Sequence, residues 1–163
     1  MNPSANTKYH FLVVDGDIHL STTFALMMEF YEHEVRTAHT SEAALALLEK
    51  ERFDLIITEY WLPQMNGEQL AAIIQHQWPN QPILMATANI DELIKHVHPV
   101  AGVDCLLNKP FSMSQLREAI LWVLDRYPKI RQGGLETHGA RDRHPAEPEK
   151  SRNPQRPGYR RSL

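Results

Sequence analysis

Four short apolar runs each end on residues able to do chemistry. Phe11-Leu12-Val13-Val14 leads into Asp15-Gly16-Asp17, and Leu55-Ile56-Ile57 into Thr58-Glu59-Tyr60-Trp61. Ile83-Leu84-Met85 leads into Ala86-Thr87-Ala88-Asn89, and Cys105-Leu106-Leu107 into Asn108-Lys109-Pro110-Phe111. Gathered at one place, such carboxylates would hold a hard cation such as Mg²⁺, while a hydroxyl and an ammonium would hold phosphoryl oxygens. The question is then which elements would gather them.

The runs, together with Val35 to Ala38, are rich in β-formers, and the central ones are continuously apolar. Continuous apolar runs are what parallel strands covered on both faces require. Helical spacing lies between them. Leu20, Phe24, Met27, Met28 and Tyr31 form one stripe, and Ala44, Leu45 and Leu48 another behind a cap at Ser41. Leu70, Ile73 and Ile74 follow Gly67, and a weaker segment runs from Asp91 to Val97 before Pro99. Leu116, Ala119, Ile120, Val123, Leu124 and Tyr127 keep the i, i+3, i+4, i+7 pattern; Ser112 and Gln115 form a capping box ahead of them and Pro128 stops them. Five strands alternating with five helices predict a parallel sheet with helices on both faces. In that architecture a ligand crevice lies beyond the carboxyl ends of the strands, where the four chemistry-bearing groups stand.

Composition narrows the class. With 163 residues and 42% apolar side chains the chain can build a core. No apolar run approaches the roughly 20 residues of a membrane span, and Met1 to Tyr9 lacks a signal peptide's apolar stretch. The single cysteine, Cys105, excludes an intrachain disulfide framework and a Cys-rich zinc site, so a reducing cytoplasm is expected. Charge is uneven. Residues 128–163 hold nine Lys/Arg against four Asp/Glu, a net of +5, whereas residues 1–127 hold eight against sixteen, a net of −8. The basic stretch also carries five of the eleven prolines and four of the seven glycines, with few apolar residues. The expected organisation is a flexible N-terminus over 1–8, a folded domain over 9–127 and a disordered basic tail over 128–163. Such a tail serves as a solvated extension, a self-contact with the acidic domain, or a polyanion-binding arm.

The motifs together carry a family resemblance. Phe11-Leu12-Val13-Val14-Asp15, Asp54-Leu55-Ile56-Ile57, Leu62-Pro63-Gln64-Met65-Asn66-Gly67, Pro82-Ile83-Leu84-Met85-Ala86-Thr87-Ala88 and Lys109-Pro110-Phe111 stand in order at compatible spacings. The chain over about 9–127 resembles the CheY-like receiver domain of two-component response regulators. The resemblance implies a flavodoxin-like α/β fold, a (βα)5 doubly wound parallel sheet of strand order 2-1-3-4-5. It also implies phosphoryl transfer from a kinase histidine to an aspartate after the third strand. Mg²⁺ would be held by that aspartate, by acids after the first strand and by a backbone carbonyl, here that of Trp61. The acquired charge would reshape the face built by the fourth helix, fifth strand and fifth helix.

Position by position the chain departs from that pattern. The phosphorylated aspartate aligns with Glu59, the acid pair with Asp15 and Gly16, and the aromatic switch residue with Leu106; Thr87 and Lys109 are retained. Losing one carboxylate removes a ligand from a cation that demands near-octahedral geometry. Asp17 is displaced by one residue, which redirects a side chain at a strand end, and a glycine at 16 opens backbone conformations closed to other residues. Glu59 carries its carboxylate about 1.5 Å further from the backbone, while in-line transfer tolerates misplacement of about an ångström poorly. The longer acid reaches toward a phosphoryl oxygen's place and toward Lys109, a partial imitation of the phosphorylated state. Trp61, Ala88 and Asn89 border the pocket, with the Trp61 indole as cover for the crevice or as anchor for a partner.

These readings predict a stand-alone pseudo-receiver with no competent catalytic residue and with weak or absent Mg²⁺ binding, acting in signal transduction as a phosphorylation-independent protein-interaction module. Its partner is another signalling protein, or a second copy, on the face around Leu93, Val97, Leu106, Leu116 and Arg117; neither a membrane nor a nucleic acid is expected. Two alternatives stay open: a working receiver phosphorylated on Glu59 with Asp15 and Asp17 holding Mg²⁺, and a polyanion binder acting through the tail. His96 and His98 are not expected to form a metal site.

Overall fold

The structure, a computed structural model, describes residues 7–88 and 100–127. Five strands form one sheet: β1 (His10–Val14), β2 (Glu34–Ala38), β3 (Leu55–Thr58), β4 (Ile83–Thr87) and β5 (Cys105–Asn108). Four helices are described: α1 (Ile18–Phe30), α2 (Ser41–Leu48), α3 (Gly67–Gln77) and α4 (Met113–Leu124). The segment expected to be helical from Asp91 to Val97 lies outside the described residues, as do Asn89, His96 and His98. The sheet order is β2-β1-β3-β4-β5, every pair parallel.

Burial follows position in the sheet. β3 and β4 are buried throughout, and β1 from its second residue onward. β2 is an edge strand, and its Glu34 and Arg36 stay in water, where charge discourages pairing with another chain. Leu12, Val14 and Ile56 share one core with Ala44 and Leu48 of α2 and with Leu70 and Ile74 of α3. Side chains alternate across a strand, so Phe11 and Val13 are sent to the opposite face. On that side α1 and α4 flank a groove of about 820 Å³.

Local chemistry sets the helix starts. Ser112 and Gln115 close a capping box on α4, with Ser112 Oγ accepting from Gln115 N at 3.2 Å and Gln115 Oε1 accepting from Ser112 N at 2.8 Å. Asn66 and Gln69 do the same for α3. For α2 the cap is Thr40, not Ser41. Thr40 Oγ1 accepts from Ala43 N at 3.2 Å, while Ser41 is buried and donates to the Met65 carbonyl at 2.8 Å.

Two expectations about helix faces need correction. On α1 the buried residues are Ser21, Phe24 and Met28, whereas Leu20 and Tyr31 are exposed. The helix is apolar on nearly every side, so periodicity alone does not fix its rotation. On α4, Leu116 is fully buried with Ala119, Ile120 and Val123, so it cannot belong to an exposed partner face. Arg117 is exposed, but it lines the groove beside Met28, Tyr31 and Glu32. It therefore sits on the flank of α4 that looks toward α1.

Candidate functional site

The parallel ladders continue one step beyond the strands and so present three charged side chains at one end of the sheet. Asp15 N donates to the Ala38 carbonyl at 3.1 Å, Glu59 N to the Val14 carbonyl at 2.9 Å, and Lys109 N to the Thr87 carbonyl at 2.9 Å. The Lys109 ammonium donates to Asp15 Oδ2 and to Glu59 Oε2, both at 2.8 Å. All three groups are sheltered, with side-chain exposures of 19% for Lys109, 13% for Asp15 and 12% for Glu59. Burial, the largest single influence on Lys109, pushes its ammonium down. The hydrogen bonds to Asp15 and Glu59 and the attraction of both carboxylates together outweigh burial, and the group is held above its ordinary value.

The remaining carboxylate oxygens are also engaged. Asp15 Oδ1 accepts from Asp17 N at 2.9 Å. Glu59 Oε1 curls back onto its own loop, accepting from Tyr60 N at 2.6 Å and Trp61 N at 3.4 Å. The extra methylene of glutamate makes that return possible while the other oxygen reaches Lys109. Asp17 is turned away to cap α1, its Oδ1 accepting from His19 N at 2.9 Å and Leu20 N at 3.1 Å. Its carboxylate therefore serves the helix terminus, where four N–H groups lack intrahelical partners.

At Gly16 the backbone is not in the left-handed region; among the described glycines only Gly102 is. A Cβ at 16 would meet Pro63 Cδ at 3.4 Å, an ordinary contact. The glycine is therefore not demanded by strain, and the freedom it offers is not used at this position.

Gly67 is the opposite case and escaped the sequence reading as a site residue. A Cβ there would lie 2.3 Å from the Glu59 carbonyl oxygen and 3.1 Å from Met85 Cε. Its N–H donates to the Tyr60 carbonyl at 2.7 Å, locking the start of α3 onto the loop that carries Glu59. The signal was present, since Asn66-Gly67 opens a helical run. His39 was also missed: its Nδ1 lies 3.1 Å from the Asp15 carbonyl oxygen and pins the β1 loop from the β2 side.

The other candidates are placed as follows. Thr87 is fully buried at the end of β4, and Ala88 beyond it is exposed. Leu106 is half-buried and packs with Tyr60 and Val103 against Met85 and Val100. The Trp61 ring stands edge-on to Tyr60, centroids 4.9 Å apart, and remains 59% exposed. Leu93 and Val97 lie outside the described residues.

A doubly wound parallel sheet with Asp15, Glu59, Thr87 and Lys109 at its carboxyl end defines the class. The family model of the response regulator receiver domain matches residues 11–121, and this chain belongs to that family. It is 32% identical over 115 residues to the alkaline phosphatase synthesis transcriptional regulatory protein PhoP of Bacillus subtilis, covering 71% of this chain and 48% of that protein. It is 32% identical over 116 residues to the heme response regulator HssR of Staphylococcus aureus, covering 71% and 51%. The chain thus spans about half the length of these curated relatives. Among solved structures, a CheY-like receiver domain protein from Methanospirillum hungatei superposes with a TM-score of 0.65 at 28% identity, over 74% of this chain and 97% of that one.

The family implies a Mg²⁺ ion, and of the acids that would hold it only Asp15 and Glu59 stand at matching positions. Each oxygen of Asp15 and Glu59 already accepts a hydrogen bond, an ammonium joins the two acids, Asp17 caps a helix, and position 16 offers no side chain. Among the described residues no group of three or more His, Cys, Asp or Glu is arranged to hold a metal ion.

Proposed function

We propose that this receiver domain works in two-component signalling as a phosphorylation-independent interaction module, its pocket held closed by Lys109 rather than by a cation and a phosphoryl group. The observation that carries this reading is the ammonium held 2.8 Å from both Asp15 and Glu59. A lysine so placed supplies the positive charge that a metal would bring, and Glu59 supplies the negative charge that a phosphoryl group would bring. The imitation is partial, because a phosphorylated side chain carries about −1.5 to −2 charge and three acceptor oxygens, against about −1 and two for glutamate.

The output then depends on which surfaces the fixed pocket presents. Trp61 at its rim is exposed and Leu106 on β5 is half-buried, and an aromatic anchor of this kind suits contact with another signalling protein in the cytoplasm. Leu106 cannot swing a phenol between buried and exposed positions, so the surface is presented constantly.

Incubation with acetyl phosphate or phosphoramidate and MgCl2, followed by intact mass spectrometry, tests this. The expected spectrum is that of the unmodified chain. A species about 80 Da heavier that is lost in Glu59→Gln would overturn the proposal and establish Glu59 as a phosphoacceptor.

A further inference from the structure

The carboxylate of Glu59 touches two parts of the chain at once, and only one of them is the pocket. Its root is fixed by the sheet. Glu59 N donates to the Val14 carbonyl at 2.9 Å, and the Glu59 carbonyl accepts from Thr58 Oγ1 at 3.1 Å. From there Oε2 meets the Lys109 ammonium just past β5 at 2.8 Å. Oε1 accepts from Tyr60 N at 2.6 Å and, in a longer contact, from Trp61 N at 3.4 Å. A hydrogen bond to an ionised acceptor is shorter and roughly twice as strong as one between neutral groups, and the bond to Tyr60 is of that short kind.

Tyr60 has little slack left. Its N–H is held by Glu59, and its carbonyl accepts from Gly67 N at 2.7 Å and from Leu62 N at 3.1 Å. Its ring packs on Met85 and Val100, the same buried pair that receives Leu106. Trp61 follows, between this fixed peptide and the buried Leu62. Among the described residues its indole has one ring–ring contact, the edge-on Tyr60 ring at 4.9 Å. The placing of Trp61 therefore follows from Tyr60, and the N–H that orients Tyr60 is bonded to the acid that Lys109 holds. The family resemblance puts an aromatic at position 106, where this chain has leucine. An aromatic ring nonetheless lies on Met85 and Val100, delivered from the β3 side by Tyr60.

We infer that Glu59 is a positioning residue for the Tyr60–Trp61 aromatic pair. Its carboxylate ties the Lys109 ammonium to the loop after β3, so the state of the pocket sets where the Trp61 indole stands. This rests on the reading of a pocket closed by Lys109 and deepens it, because it names the route by which the closed pocket fixes its rim.

The test is a ¹⁵N correlation spectrum of the full chain without Mg²⁺ or phosphodonor. It is read at the Tyr60 and Trp61 amides and at the Trp61 indole, whose signal is assigned by its loss in Trp61→Phe. In the wild type the Tyr60 amide should be protected against solvent exchange although it lies in a loop. Glu59→Ala should speed that exchange by about tenfold or more and move the Trp61 indole signal. Lys109→Met should move the same signals in the same direction, since it releases the far oxygen of the carboxylate. Asp15→Asn leaves the contact between Lys109 and Glu59 standing and should leave them in place. The Trp78 and Trp122 indoles are the control for folding; where they also move, the variant is not folded and the wild-type exchange decides. A Tyr60 amide that exchanges in the wild type as an open loop amide does would overturn the inference. So would Trp61 signals indifferent to Glu59→Ala or to Lys109→Met, or displaced as far by Asp15→Asn. Whether Glu59 accepts phosphate is read separately by intact mass, so that reading and this one fail independently.

Discussion

Replacing Lys109 by methionine removes the ammonium and leaves two carboxylates facing each other. The oxygens it holds are each 2.8 Å from one nitrogen, which keeps them within about 5–6 Å of each other. At that separation two unit charges repel by about 3 kcal/mol at an effective dielectric of about 20, and by about 1 kcal/mol in bulk water. Asp15 and Glu59 are only 13% and 12% exposed, which places them nearer the first value. The lost hydrogen bonds add to this, so Lys109→Met should cost about 2–4 kcal/mol at neutral pH. Urea unfolding followed by circular dichroism would show the midpoint falling by about 1–2 M with little change in slope. Lowering the pH should shrink the deficit, because a proton on either acid ends the repulsion, and adding Glu59→Gln should recover most of it at neutral pH. A variant as stable as the wild type at pH 7, or a deficit unchanged by acid and by Glu59→Gln, would refute the reasoning.

Other consequences follow from the same contacts. Lys109 is held above its ordinary value, so its contribution is complete below about pH 10.4 and is lost as pH rises through the higher folded value. Tyr127 behaves alike: burial, then its 2.6 Å hydrogen bond to Asp104, push the phenol up to about 12. Its share of stability is therefore complete below about pH 10 and lost as pH climbs through that folded value. Tyr127→Phe should cost about 1 kcal/mol at neutral pH and flatten part of the alkaline fall in urea midpoint. Gly67→Ala, whose Cβ would press on the Glu59 carbonyl at 2.3 Å, should destabilise by about 1–3 kcal/mol in the same assay. Gly16→Asp with Glu59→Asp uses the room beside Pro63, and should install Mg²⁺ binding in the low millimolar range, read by tryptophan fluorescence.

Continuous apolar runs were legible as strands because β3 and β4 are covered on both faces, and their last residues therefore marked the site. Helix α4 was equally plain, since its capping box and its apolar stripe agree. What failed to show was orientation. α1 has too many apolar residues for a period to choose its buried side, and that surplus is what leaves Ile18, Leu26 and Phe30 in water. Leu116 and Arg117 were both placed on the partner face that the family resemblance implies, yet consecutive helical residues point about 100° apart, and the structure buries one and turns the other toward α1. Identity at the pocket could be read residue by residue. Partnership was legible only in part: the reach of Glu59 toward Lys109 was expected, but nothing in the sequence says that the second oxygen of Glu59 folds back on Tyr60, or that Gly67 is needed by the carbonyl of Glu59.

The most direct measurement is a Mg²⁺ titration of the wild-type chain followed by amide resonances of Asp15, Glu59, Tyr60 and Lys109 in a ¹⁵N correlation spectrum. The account predicts that these signals stay in place through about 10 mM MgCl2, because the Lys109 ammonium already occupies the carboxylates a cation would need. Saturating shifts at low millimolar Mg²⁺, concentrated at those four residues, would contradict it.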